Sequence, residues 1–128
     1  MKSHGTFCWN ELMTHDVRRA QQFYRDIIGW SFDPTPMEHG GTYWIIKMND
    51  QRVGGLFEMQ GPDFGKVPDQ WVPYLAVDDV DKRVDKAVAA GASVCRPAFD
   101  VSDVGRIAML RQPGDAMIAW ITPSTPSS

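Results

Sequence analysis

An internal repeat is the feature of this sequence that most constrains its fold. Asp16 opens an apolar pattern with helical spacing that ends at Gly29, and Asp79 opens a second one that ends at Gly91. In both copies a β-prone run precedes the aspartate, and three β-prone runs follow the glycine. Self-similarity at a period of roughly 60 residues is typical of one structural unit used twice. The sequence therefore predicts an α+β fold of two β-α-β-β-β modules.

Turn and capping signals set the expected bounds of the elements. An aspartate caps each helix and a glycine ends it. Pro34 and Pro36 should end the second strand and Pro97 the sixth, because proline cannot donate to a sheet ladder. Asn49-Asp50 is typical of a hairpin turn, and Gly54-Gly55 indicates a bulge or a close backbone approach. We expect the strands at 7–14, 30–32, 42–48, 53–59, 70–77, 92–95, 104–111 and 116–121.

Length and composition fit one globular domain, here taken as residues 1–128. Module one spans about 6–60, a linker rich in Gly and Pro spans about 61–69, and module two spans about 70–123. The net charge of -3 and the scattered basic residues favour neither nucleic-acid binding nor an anionic membrane surface. No apolar run reaches spanning length, and we see no signal peptide or disulfide framework. We therefore predict a cytoplasmic protein without nucleic-acid or membrane partners.

The first strand carries the most informative side chain. Alternation along the strand puts Trp9, Glu11 and Met13 on one face. Charged residues are rarely fully buried without a partner. Either Glu11 lies in water at a strand end, or this face lines a pocket in which Glu11 is the polar anchor. In the pocket alternative the carboxylate is partly desolvated and accepts a hydrogen bond from Tyr74 or from a ligand donor.

Three sets of motifs carry a family resemblance that covers Thr6 to Pro123. Together they resemble the vicinal oxygen chelate superfamily, which includes glyoxalase I, bleomycin-resistance proteins, fosfomycin-resistance enzymes and extradiol dioxygenases. In the last set Gln112 and Asp115 depart from the family pattern. The motifs are Thr14-His15-Asp16-Val17 with Phe23-Tyr24 and Ile28-Gly29-Trp30; Ala76-Val77-Asp78-Asp79-Val80 with Ala90-Gly91-Ala92; and Gln112-Pro113-Gly114-Asp115-Ala116.

The resemblance implies a half-barrel whose concave face holds a divalent metal in the family's enzymes. The four ligand positions map onto Trp9, Gly55 or Leu56, Val72 and Ala119. None of these side chains can ligate a divalent ion, since tryptophan offers only an N–H group that donates hydrogen bonds and the others have no atom that could bind a metal. Among the neighbours, only Asn10 or Glu11 could bind a metal. We therefore expect a member of the superfamily without the metal centre, and no cofactor.

The predicted concave face is aromatic and rich in methionine, which suits a small apolar or aromatic molecule with a polar handle. The fourth strand contributes either Gly54, Leu56 and Glu58 or Gly55 and Phe57. The set chosen for the ligand site is Trp9, Glu11, Met13, Leu56, Glu58, Val72, Tyr74, Met117 and Ala119.

The function expected from this face is metal-independent binding of a small organic molecule. The alternative is a metal-dependent lyase, isomerase or dioxygenase of the same superfamily, and the sequence leaves open whether there is catalysis. The resemblance also implies a homodimer. His4, His15 and His39 have no metal-ligand spacing and fit ordinary surface histidines, while Cys8 and Cys95 are expected to be small core residues.

Overall fold

Residues 3–37, 41–101 and 104–124 are described by the structure, a computed structural model. The chain divides into two units. The first unit is Trp9–Val72, and the second combines Met1–Cys8 with Pro73–Ser128. The boundary between the units is thus close to the predicted start of module two, but the first eight residues belong with the second half of the chain.

The elements follow the order that the repeat predicts, β-α-β-β-β twice, so the α+β class is confirmed. A 3-10 turn at Pro62–Phe64 lies within the predicted linker. The helices are α1 (Val17–Ile27) and α2 (Val80–Ala89). The strands are β1 (Phe7–Thr14), β2 (Ser31–Pro36), β3 (Thr42–Met48), β4 (Gln51–Glu58), β5 (Gln70–Ala76), β6 (Ser93–Val101), β7 (Gly105–Arg111) and β8 (Met117–Pro123).

The first unit has the strand order β2-β3-β4-β1, with β1 parallel to β4 and the other pairs antiparallel. One face of this sheet is covered by α1. The buried residues between helix and sheet are Leu12, Val17, Ile46 and Leu56. These side chains come from four elements, so their burial fixes α1 against one face of the sheet.

The second unit repeats this arrangement with the order β5-β8-β7-β6, β5 being parallel to β8. Val77, Val80 and Ala108 form its buried cluster. The lead-in before β1 is part of this unit, because Gly5 N donates to Ala76 O at 2.7 Å and Ala76 N donates to Thr6 O at 2.8 Å. Gly5 and Thr6, which precede β1, therefore pair with the end of β5.

Both helices begin at the predicted caps. The Asp16 carboxylate accepts a hydrogen bond from Arg19 N at 3.0 Å, and that of Asp79 accepts one from Lys82 N at 3.1 Å. Each bond satisfies a backbone donor that has no partner within the helix. Gly29 follows α1 with a φ of +92°, a conformation that glycine adopts without steric cost. The start and stop signals read from the repeat are thus confirmed.

Two strands run further than predicted. β2 continues through Pro34 to Pro36, and β6 continues through Pro97. Each is the outer strand of its unit and pairs on one side only, where the missing proline N–H is tolerated. Cys95 is exposed and not a core residue, because the β6 register shifts between Val94 and Arg96 and leaves it at an irregularity.

The predicted turn residue His39 lies outside the described residues, and the half-barrel arrangement of the modules stays a prediction. Within the part of the chain that the structure describes, no helix has both the length and the apolar composition needed to span a membrane.

The α1 interface contains one polar side chain whose replacement should raise stability. Gln21 is 9% exposed, and its Nε2 has no hydrogen-bond partner among the described residues. We expect Gln21→Met, which keeps the length of the side chain and removes the amide, to raise the free energy of unfolding by about 1 kcal/mol. Urea denaturation measures this difference. The exposed neighbour provides the control, since Gln22→Met should stay within about 0.5 kcal/mol; a loss of stability in Gln21→Met alone would contradict the prediction.

Candidate functional site

Trp9, Glu11 and Met13 share one face of β1, as the sequence predicts. Glu11 is 5% exposed and Met13 is 3% exposed, while Trp9 is half-buried. A carboxylate at this depth needs hydrogen bonds to offset its lost hydration. Glu11 therefore does not lie in water at the end of the strand, and the alternative that this face lines a ligand pocket stays a prediction.

Strand pairing identifies the neighbours of Glu11 on the same face. Glu11 is in register with Gly55 and Met13 with Phe57 across the parallel β1–β4 pair. Across the antiparallel β3–β4 pair, Gly55 is in register with Ile45, and Phe57 is in register with Tyr43. Paired residues in adjacent strands point to the same side of a sheet. We call this side the Glu11 face, and its residues are Trp9, Glu11, Met13, Tyr43, Ile45, Gly55 and Phe57.

The predicted positions of Leu56 and Glu58 are wrong. Leu56 is in register with Leu12 and lies in the buried cluster under α1. Glu58 is in register with Thr14, and its Oε1 accepts a hydrogen bond from Gln60 Nε2 at 2.6 Å. Because side chains alternate along a strand, an error of one residue in register moves the whole set to the other face. Gly55 and Phe57, the other alternative, face the same way as Glu11.

Tyr43 connects Trp9 to Glu11 by hydrogen bonds. Trp9 Nε1 donates to Tyr43 Oη at 3.0 Å, and the Tyr43 hydroxyl donates to the Glu11 carboxylate. Burial raises the pKa of Tyr43 far above its usual value of 10, and the negative charge of Glu11 and this hydrogen bond raise it further, while the Trp9 bond opposes them. The hydroxyl is therefore a neutral donor at physiological pH that orients the carboxylate.

The absence of a side chain at Gly55 makes room for this hydroxyl. A Cβ built on Gly55 would overlap Oη and Cζ of Tyr43. The backbone also approaches closely at Gly54, where a Cβ would lie 2.9 Å from Asn10 O. The close approach predicted for the Gly-Gly pair is thus confirmed, and the reason is that a tyrosine from β3 lies over one glycine and a β1 carbonyl over the other.

The residues at the family's metal positions do not fit a divalent ion. The Trp9 N–H is already donated to Tyr43, and the Tyr43 hydroxyl fills the space in which a side chain at position 55 would lie. Val72 and Ala119 are fully buried and have no ligand atoms. Within residues 3–37, 41–101 and 104–124, no three His, Cys, Asp or Glu side chains form a group that could hold a metal.

The remaining predicted site residues lie in or beside β5 and β8. In the second unit, Tyr74 is in register with Ala119, both are buried, and the half-buried Met117 is two residues from Ala119 on the same strand. These three therefore share a face of that unit. Val72 ends the first unit and has no exposed surface. The hydrogen bond expected from Tyr74 to Glu11 stays a prediction.

An open groove of about 480 Å³ in the first unit lies on the helix side of the sheet, away from the Glu11 face. Its lining polar groups have structural roles. Asp69 accepts hydrogen bonds from Thr14 Oγ1 at 2.5 Å and His15 N at 3.0 Å, and His15 Nε2 is 2.6 Å from Val67 O. These bonds attach the linker to the end of β1. We therefore place the candidate site at the buried carboxylate rather than in this groove.

Tyr43 is the residue of the site that the sequence analysis missed. Two signals together locate it: the two-residue turn at Asn49-Asp50, whose φ values of +50° and +66° are those of a tight hairpin, and the bulge that Gly54-Gly55 indicates. Counting outward from this turn along both strands pairs Tyr43 with Leu56, and the register shift between Ile46 and Lys47 moves its partner by one residue to Phe57. The pairing places a tyrosine beside a Gly-Gly step on the same face as Glu11.

Adding one methyl group at Gly55 tests this arrangement. Gly55→Ala should force Tyr43 away and lower the free energy of unfolding by about 1–3 kcal/mol, the usual cost of overpacking. The matched control is the same change in a Tyr43→Ala background, where the clash is gone and the added cost should nearly vanish. Urea denaturation of the four proteins gives the coupling energy, and simple additivity would contradict the contact.

Tyr43 should also make stability depend on alkaline pH. An unfolded tyrosine ionises near pH 10, whereas the pKa of Tyr43 is raised in the folded chain. The contribution of Tyr43 to the free energy of unfolding is therefore complete below pH 10. Above pH 10 this contribution declines, because unfolding then releases a proton. The free energy of unfolding should fall by up to about 1.4 kcal/mol per pH unit from this group. Urea denaturation between about pH 9 and 11 should show this fall in the free energy of unfolding with pH in the wild type and in Tyr24→Phe but not in Tyr43→Phe. Equal pH dependence in all three proteins would refute the raised pKa of Tyr43.

Similarity to known proteins agrees with this fold. Residues 7–116 match the glyoxalase-like domain family. The chain is 38% identical over 118 residues to the glyoxylase-named protein CFP32 of Mycobacterium tuberculosis, an overlap of 91% of this chain and 45% of that protein. It is 27% identical over 128 residues to the anthracycline biosynthesis protein DnrV of Streptomyces peucetius, an overlap of 91% and 46%. The chain thus spans about half the length of these curated relatives.

A solved structure shares the fold at low sequence identity. Methylmalonyl-CoA epimerase from Mycobacterium tuberculosis superposes with a TM-score of 0.65 at 14% identity, covering 94% of this chain and 89% of that chain. The family match covers most of the 128 residues. The predicted membership of the vicinal oxygen chelate superfamily is confirmed, and the chain belongs to the glyoxalase-like domain family.

Proposed function

We propose that this protein binds a small organic molecule on the Glu11 face without a metal ion. The observation that carries the proposal is the buried Glu11 carboxylate, which is 5% exposed and held by the Tyr43 hydroxyl. A buried charge costs stability unless it is well hydrogen-bonded, and apolar replacements of buried ionic groups are often no less stable. A carboxylate held in this way is better explained by recognition of a ligand than by the needs of the core.

The surroundings of Glu11 favour an aromatic or apolar ligand with one polar group. Met13, Ile45 and Phe57 lie on the same face, and the Phe57 ring contacts that of Phe64 edge to face with 6.0 Å between centroids. Pockets for small molecules are mostly apolar, with a few polar groups that fix the orientation of the ligand. A carboxylate has about four acceptor positions, so it can accept a hydrogen bond from a ligand beside that of Tyr43.

The rival function is metal-dependent chemistry of the kind found in other branches of the superfamily. The lack of donor atoms at Trp9, Val72 and Ala119 and the position of Tyr43 over Gly55 support the metal-independent alternative. Elemental analysis of the purified protein, followed by titration with nickel, zinc, manganese and iron, separates the two. A stoichiometric ion bound near Glu11 would favour the rival.

Glu11→Gln tests the proposed role of the carboxylate. A thermal-shift screen of aromatic compounds first supplies a ligand, since a compound at 100 times its Kd stabilises by about 2.7 kcal/mol. Because the substitution keeps the shape of the side chain and removes its charge, we expect it to weaken binding by about 1–3 kcal/mol. Calorimetric titration measures the change.

Glu58→Gln is the matched control for this experiment. Glu58 is the other glutamate on the paired strands β1 and β4, and it faces the α1 side. Its substitution should leave ligand affinity within about 0.5 kcal/mol of the wild type. Equal effects of the two substitutions, or a screen in which every ligand binds independently of Glu11, would contradict the proposed function.

A further inference from the structure

We propose that Tyr43 is a displaceable cover over Glu11 and that the ligand is a hydroxyl-bearing aromatic molecule, of which a phenol is the simplest case, that takes its place. This inference rests on the proposed function of the Glu11 face and names the ligand class and the residue that selects it. Tyr43 joins the site as a specificity-determining residue, in addition to Glu11.

The first support is the layering of the two side chains. Glu11 is 5% exposed, whereas Tyr43, directly hydrogen-bonded to it, keeps part of its surface in solvent. A ligand that takes the hydrogen-bond position of the Tyr43 hydroxyl on the carboxylate therefore displaces a side chain that is itself partly exposed. Tyr43 is the second residue of β3, and rotation of its side chain leaves the backbone pairing with Phe57 intact.

The second support is the hydrogen-bonding pattern of the Tyr43 hydroxyl. It donates to Glu11 and accepts from Trp9 Nε1 at 3.0 Å. A group that replaces it without leaving a buried partner unsatisfied must both donate and accept. A hydroxyl does both, whereas an ammonium only donates and a carboxylate or an ether only accepts. The pair of Trp9 and Glu11 therefore selects for a hydroxyl.

The third support is the space that the tyrosine ring fills. The Tyr43 hydroxyl and the adjoining ring carbons lie against Gly55, where even a Cβ would collide. When the side chain rotates away, it vacates a flat space beside a glycine, with Phe57 on the same face. A planar aromatic ring fits that space in the same way as the tyrosine ring, so the exchange replaces one phenol by another.

Binding of p-cresol, which has the side-chain structure of tyrosine, tests the proposal directly. Tyr43→Ala removes the cover, so it should bind p-cresol at least about tenfold more tightly than the wild type and prefer it to toluene. Tyr43→Phe keeps the ring but loses both hydrogen bonds. The ring at position 43 should therefore be displaced more easily, and this variant should bind p-cresol several-fold more tightly than the wild type. Tyr24→Phe, which alters a tyrosine stacked on Trp30, should behave as the wild type. Calorimetric titration or ligand-observed NMR measures each affinity.

The outcomes separate this inference from the proposed function. If Tyr43→Phe binds p-cresol no better than the wild type, Tyr43 is not a cover, and this holds even where Tyr43→Ala fails to fold. If other ligands depend on Glu11 but p-cresol and toluene bind Tyr43→Phe equally, the ligand class is wrong while the proposed function stands. If no ligand of any class depends on Glu11, the proposed function itself fails.

Discussion

The hydrogen bonds from Trp9 to Tyr43 and from Tyr43 to Glu11 are the interactions on which the site depends. They join residues of β1 and β3 across β4, and they exist only because β4 presents a glycine at position 55. A buried polar network of this kind is worth most when every member is satisfied, since an unpaired buried group costs its full desolvation energy. The arrangement therefore couples the register of three strands to the position of one carboxylate.

In the metal-independent site that we propose, this network occupies the positions at which the superfamily's enzymes hold two of their metal ligands. The places of the first and fourth-strand ligands are taken by an indole and by a glycine under a tyrosine hydroxyl. Removal of one metal ligand alone would leave the others as buried polar groups without partners. In this chain Val72 and Ala119 are apolar as well, so none of the four mapped positions carries a metal-ligating side chain.

Local signals in the sequence account for most of the fold. Aspartate caps, glycines after the helices and the Asn49-Asp50 turn act within a few residues, and the structure has each of them as predicted. The strands through Pro34 and Pro97 were underestimated, because a proline is tolerated on an outer strand and a sequence does not mark which strands are outer. Alternation placed Glu11 on the same face as Trp9 and Met13, but the sequence left its burial open and did not identify its partner. The Tyr43 ring reaches Glu11 only through the register of two strand pairs, which an uncertainty of one residue in the hairpin left open.

A crystal structure of the protein grown with manganese, with anomalous diffraction recorded, tests the central claim most directly. The account predicts that the Tyr43 hydroxyl lies within hydrogen-bond distance of both Trp9 Nε1 and the Glu11 carboxylate, and that no anomalous peak lies beside Glu11. A manganese peak coordinated by Glu11, with Tyr43 turned away from Gly55, would contradict it.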